Sequence, residues 1–302
     1  MDINASTLRS IYTGLSTAFN SQLSATATFY NAISMTVPSS TAMNEYPRLD
    51  ELPGIREWMG DRLIHELQAQ TFIIRNRKFE ETIGVLRDSI EDDQLGIYVP
   101  IAAQMGQNAA AFPDQLVWPL WNQGGATVCY DGQYFFDTDH PGWDANGAET
   151  SVSNYIAGAE DAWYLVDDSQ VMKPMVWQSR KAFDLKALDS ETDENVFMRD
   201  KFLYGIDGRC NAGFGMWQMA VKSKAALTPA NYAAARTLMR TIRKRNGQIL
   251  NLNPTKLIVP PSLEVDGRKI VEAALIDGGD SNIWKGTAEL MVVPFLGLGE
   301  TP

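Results

Sequence analysis

The chain has 302 residues, 45% of them hydrophobic and 21% charged, with a formal net charge of −11, the composition of a globular protein large enough to bury a substantial core. That acidity argues against a dedicated nucleic-acid binder, which carries a basic domain, although an acidic wall would repel enclosed DNA and let it slide. Two cysteines far apart, Cys129 and Cys210, argue against a disulfide framework, no secretory signal is read at the N-terminus, and the longest apolar run, Leu290 to Leu298, is too short for a membrane span and contains Pro294.

Residues 1–45 open with Leu8, Ile11, Leu15, Phe19 and Leu23 at three- and four-residue steps, which predicts an amphipathic helix capped by Ser6 or Thr7. The polar passage after it, ending at Pro38-Ser39-Ser40-Thr41, reads as an extended arm. The helix either packs on its own domain or reaches a partner; both readings stand.

Residues 46–112 carry the stretch around which the chain is organised, and 46–90 are its ribbon. From Ile55 to Asp88 apolar and charged residues alternate around Gly60-Asp61, the pattern of two long strands joined by a tight turn. Phe72, Ile74, Phe79, Ile83 and Val85 supply the apolar side, interleaved with Arg75, Arg77, Lys78, Glu80 and Glu81. Two arms of about fifteen residues would reach roughly 50 Å, against a radius of gyration near 19 Å, roughly, for a compact chain of this length. A lone two-stranded ribbon is marginal in water and exposes its edges, so it makes sense chiefly when laid on a neighbour.

From about residue 93 to 112 the chain reads as a long helix opened by Glu91, Asp92 and Asp93 and interrupted at Pro100. Pro113-Asp114 opens a further helical stretch through Trp118 and Trp121, stopped by Gly124-Gly125. Beyond it, Tyr134 to Phe136 reads as a short strand and residues 142–161 as an exposed loop. Strands are expected at 163–166, 171–178, 184–188, 196–204 and 213–221. Thr228-Pro229 caps a helix running to Arg245 and ended by Gly247. A strand at 257–259, a helix at 262–274 and a last strand at 288–295 complete a small α/β layer.

The most enzyme-like cluster is His140 beside Asp137 and Asp139, which would suit a hydrolase. His65 is the only other histidine, so a multi-histidine centre is out of reach, and Cys129 and Cys210 lie in strand-like, aromatic surroundings typical of inert thiols. No phosphate-binding glycine loop precedes a helix. The sequence is therefore read as having no catalytic, cofactor or metal site.

Several stretches carry a resemblance: Leu52-Pro53-Gly54-Ile55-Arg56-Glu57-Trp58-Met59-Gly60-Asp61-Arg62, Glu91 to Pro100, Tyr130-Asp131-Gly132-Gln133 with Phe136 to Pro141, Lys173 to Gln178, Trp217 to Ala220, and Asn253 to Glu264. Each is weak alone, but in this order they are specific. Across nearly its full length the chain resembles the major head subunit of Mu-like phages and prophages, which looks like a member of the HK97-type capsid fold. The resemblance implies an α+β subunit with an N-terminal arm (1–45), a protruding E-loop (46–90), a mainly peripheral domain with a spine helix (91–227) and a mainly axial domain (228–302). It implies a structural, non-enzymatic role in the virion, with copies of the chain forming pentamers and hexamers of an icosahedral shell. Trp58, Asp61, Arg62, His65, Phe72, Ile74, Arg75, Arg77 and Phe79 are expected to face a neighbouring subunit. A portal, decoration proteins and non-specifically held double-stranded DNA are the further partners. Because only about fifty residues precede the E-loop, a separate scaffolding protein is expected, and with Lys78 the sole lysine of the ribbon no lysine–asparagine crosslink is expected. The alternatives are an encapsulin-like nanocompartment shell and a hydrolase built on Asp137, Asp139 and His140. No membrane is involved.

Overall fold

The computed structural model describes residues 3–46, 72–92, 94–190, 192–276 and 279–296. The chain begins with helix α1 (Ala5–Ala25), then strands β1 (Ser34–Pro38), β2 (Met43–Tyr46), β3 (Phe72–Arg75) and β4 (Arg77–Leu86). A short helix α2 (Arg87–Glu91) precedes the long helix α3 (Tyr98–Asn122). Strands β5 (His140–Trp143), β6 (Glu149–Val152), β7 (Tyr155–Ile156), β8 (Trp163–Val166) and β9 (Met175–Leu188) follow, then helix α4 (Glu194–Arg199), β10 (Lys201–Phe214) and β11 (Ala220–Ser223). Helix α5 (Pro229–Arg240), β12 (Lys256–Val259), helix α6 (Glu264–Val271) and β13 (Glu289–Val292) close the described chain.

Helix α1 forms where the apolar spacing predicts, with Leu8, Ile11, Leu15 and Phe19 buried. Its cap is Asn4, upstream of the expected Ser6 or Thr7; the Asn4 side chain accepts the Thr7 backbone N–H at 2.9 Å. The apolar face lies on the chain's own α3, where a β-carbon at Gly106 would sit 2.2 Å from the Phe19 carbonyl oxygen. Only glycine lets the two backbones come that close. The polar passage read as an extended arm includes strand β1, paired in parallel with β9 from Ser34↔Met175 to Pro38↔Ser179.

Two sheets and two cores organise the rest. One sheet runs β1-β9-β10-β4 and the other β13-β12-β8-β11-β7. Helices α1 and α3 cover the first, joining Phe19, Met105, Phe202 and Tyr204 in one core. The second sheet shares a larger aromatic core with α5, α6 and the end of α3. Helix α3 threads both: Ala102, Met105 and Ala109 enter the first core, Val117, Trp118 and Trp121 the second. It runs unbroken for 25 residues, about 37 Å at the α-helical rise, rather than breaking at Pro100 and restarting at Pro113. Pro100 falls in the first turn, where its missing N–H has no intrahelical partner to lose. Pro113 and Pro119 lie in the interior, each at a cost of about 3 kcal/mol, which packing on two cores outweighs.

Other expectations shift for physical reasons. The strands expected at 171–178 and 184–188 are one strand, β9, because Arg180 to Phe183 bridge them on a half-exposed face. Of the strand expected at 196–204, residues 196–199 belong instead to helix α4, ended by Asp200 in the left-handed conformation (φ 52°), and the rest opens β10. Tyr134 contributes only a single bridge to Val128, and the expected loop at 142–161 contains part of β5 and all of β6 and β7. Helix α5 has the expected Thr228 cap and Pro229 but stops at Arg240, after which Arg243 bridges to Ile249. Three of the five strands in the second sheet come from residues 155–223, so residue 228 does not mark a layer boundary.

Candidate functional sites

The expected ribbon has a different strand partner from the one its alternation suggests. β3 pairs antiparallel with β2, from Met43↔Arg75 to Tyr46↔Phe72. Arg77–Leu86, read as the far part of the arm that follows Gly60-Asp61, is β4, whose partner is β10 from Cys210↔Arg77 to Lys201↔Leu86. Alternation shows which residues share a face but says nothing of which strand lies alongside.

Gln178 locks the ribbon's base to the body. Its fully buried amide accepts the Tyr46 hydroxyl at 2.8 Å and donates to the Ile74 carbonyl at 3.1 Å and Asn76 Oδ1 at 2.9 Å. Asn211 donates to the Arg75 carbonyl at 2.8 Å. Ile74 sits over β10, where a β-carbon on Gly213 would meet its side chain at 2.3 Å. Ile74 is 3% exposed, so its contacts are with its own subunit rather than the neighbour it was expected to face. Phe79 packs against Phe112 with centroids 4.6 Å apart and ring planes tilted by 59°, and Arg77 lies over the Phe79 ring. Phe72 is half-buried, while Arg75 and Arg77 are exposed. Trp58, Asp61, Arg62 and His65 lie outside the described residues. Nothing in the local sequence marks Gln178, Tyr46 or Asn211 as the clamp, because their partners lie far away along the chain.

His140 is held by residues other than the adjacent acids. A turn at 129–133, with Gly132 at φ 90°, presents Asp131, and β5 presents the His140 ring. His140 Nδ1 lies 2.7 Å from Asp131 Oδ2, and Nε2 lies 3.2 Å from Asn154 Oδ1. The ring is fully buried and stacks on Trp217 at 4.0 Å and 9°. The Asn154 amide is oriented by its neighbours: its nitrogen donates to the Phe135 and Trp217 carbonyls, and its oxygen accepts the Asp137 backbone N–H. Asp137 instead accepts the Tyr134 and Thr138 backbone N–H groups, and Asp139 lies against Gln133. Burial pushes the Asp131 carboxyl up, but hydrogen bonds from His140 and Cys129, the attraction of the ring and the Gln133 N–H together hold it below the usual carboxylate range. In this arrangement the ring is buried and both of its nitrogens are engaged within the chain, with Asp131 and Asn154 rather than with the adjacent Asp137 and Asp139.

Both cysteines are buried and free. Burial and the Asp131 carboxylate push the Cys129 thiol up, and burial pushes Cys210 up to about 12. No helix among the described residues is long and apolar enough to cross a membrane.

Comparison with known proteins agrees with this architecture. The family model described as Mu-like prophage major head subunit gpT matches residues 8–296. The chain is 37% identical to the major capsid protein of Escherichia phage Mu, over 98% of this chain and all of that protein. It is 38% identical to the Mu-like prophage FluMu major head subunit of Haemophilus influenzae, over 89% of each. A subunit from the procapsid of bacteriophage JBD30 superposes with a TM-score of 0.87 at 37% identity, covering 97% of this chain and all of that one. A subunit from the capsid of the same phage gives 0.76 at 27% identity, over 90% and 92%.

Proposed function

The chain belongs to the Mu-like prophage major head subunit family, and from that premise we propose how this major capsid protein builds its shell. It has the α+β HK97-type capsid fold and is a component of the virion. In our reading, copies form pentamers and hexamers through residues 47–71, the E-loop, which reaches over a neighbouring subunit. The observation that carries this is the base of the ribbon. Tyr46 and Phe72 are paired, and Gln178 and Asn211 fasten the strands beside them, so twenty-five residues leave and rejoin the body at one fixed point. Of the candidate residues, Trp58, Asp61, Arg62 and His65 belong to this segment, and Phe72, Arg75 and Arg77 flank its base.

The sheet β1-β9-β10-β4 with α1 and α3 serves as the peripheral domain, and the sheet β13-β12-β8-β11-β7 with α5 and α6 as the axial domain. Each subunit gains modest contacts with several neighbours, and closure makes them collectively strong. The chain performs no chemistry of its own; a scaffolding protein, portal, decoration proteins and packaged double-stranded DNA are its further partners. Replacing residues 47–71 with a short Gly-Ser linker tests the reading. The variant is expected to keep the far-ultraviolet circular dichroism of the parent and to sediment as small species. Normal shells from the variant would show that the loop is not the assembly element.

A further inference from the structure

The cluster around His140 contains more than a structural ion pair. Cys129 Sγ, an Asp131 carboxylate oxygen and His140 Nδ1 all lie within 4.8 Å of one another. We propose that these three side chains form a binding site for one zinc ion, held entirely within a single chain.

The donor set selects the ion. A thiolate with an imidazole favours zinc over magnesium or calcium, which take oxygen ligands. The supporting groups are also those of a metal site. Zinc-binding histidines donate their second ring N–H to a fixed acceptor, which sets the tautomer. Here Asn154 does that for Nε2, since its own amide is oriented by the Phe135, Trp217 and Asp137 backbone groups. Trp217 fixes the plane of the ring, and the Gln133 N–H, 3.1 Å from Asp131 Oδ1, fixes the carboxylate. Nδ1 then points at Asp131 Oδ2 (2.7 Å), and Cys129 Sγ lies 3.0 Å from Asp131 Oδ1.

The space is close to what zinc needs. Bond lengths of about 2.0 to 2.3 Å in a tetrahedron separate neighbouring donors by roughly 3.3 to 3.7 Å. The two short pairs would open by less than about 1 Å, leaving the fourth position for a water molecule. Binding breaks the Cys129 S–H bond, leaves the single imidazole proton on Nε2 against Asn154, forms bonds from zinc to Cys129 Sγ, His140 Nδ1 and Asp131, and releases the thiol proton to solvent. The crowding that keeps the Cys129 thiol protonated is inverted by the cation, because a coordinating thiol is deprotonated outright. Cys129, 5% exposed, gives the ion its way in.

The test uses the full-length protein, stripped with chelator and then given zinc or cobalt(II). One zinc per chain should remain after dialysis, measured by elemental analysis. Cobalt should give a thiolate charge-transfer band in the near ultraviolet and the visible bands of a four-coordinate site. Cys129→Ser should weaken zinc binding by at least about 100-fold, while Cys210→Ser, at a buried thiol outside the cluster, should bind as the parent does. The cobalt band of the unmutated protein tests thiol ligation without depending on how any variant folds. Parent protein that retains no zinc, a cobalt complex without the thiolate band, or Cys129→Ser binding as tightly as the parent would each overturn the proposal. The site lies inside one chain, so none of these outcomes bears on whether shells assemble.

Discussion

Asp114 shows how one side chain can fix a connection that no local pattern announces. It lies on α3, 2% exposed, and accepts the backbone N–H of Tyr30 at 2.6 Å and of Phe29 at 3.1 Å, together with the Trp118 indole N–H at 3.0 Å. It thereby ties the link between α1 and β1 to the long helix. Asp114→Ala leaves three donors without this acceptor, the buried Trp118 indole and the half-buried Phe29 and Tyr30 backbone N–H groups, and the expected loss is about 3 kcal/mol in chemical denaturation. Cys210 carries a pH prediction. Its folded value of about 12 lies above the ordinary thiol range, so the native chain keeps a proton that the unfolded chain gives up above about pH 9. Stability should therefore fall between about pH 9 and 12, and Cys210→Ser should flatten that part of the denaturation profile. The burial of both cysteines is legible in their aromatic surroundings. The partners of His140 are not: Asp137 and Asp139 stand next to it in sequence, yet the turn at Gly132 and the β5–β6 hairpin bring Asp131 and Asn154 to its ring.

Among the elements, periodicity locates helices well and strand partners poorly. Leu8, Ile11, Leu15 and Phe19 give α1 directly, and Thr228-Pro229 gives the start of α5, because both signals are local. The continuity of α3 through Pro113 and Pro119 is invisible locally, since it depends on two cores that assemble elsewhere. The alternation of Arg77–Leu86 is real, but its partner β10 lies more than a hundred residues away. At Gly106 the backbone of α3 approaches that of α1 too closely for a β-carbon, so Gly106→Val should push the helices apart. Its expected cost is about 1 to 3 kcal/mol, read as a lower unfolding midpoint. Gln178→Leu should leave the body folded but free the ribbon's base, detectable as faster amide exchange at Ile74 and Asn76. Unchanged protection there would show that Gln178 is not the clamp.

For the whole molecule, the ordered motifs from Leu52 to Glu264 already point to a capsid subunit, and the family match and shared fold bear this out. The division into domains is less legible, because the second sheet gathers strands from both sides of residue 228. Lys78 stands in β4 opposite Arg209, and residues 47–71 contain no lysine. Shells boiled in detergent should therefore run as a single band near 33.5 kDa rather than a ladder of covalent multimers.

Assembly itself is the claim on which the rest depends. Electron microscopy in negative stain, on the purified protein across a series of concentrations, tests it most directly. Closed shells, tubes, or rings of five or six subunits are the predicted result, growing more numerous with concentration. A strictly monomeric or dimeric species at every concentration would contradict the account.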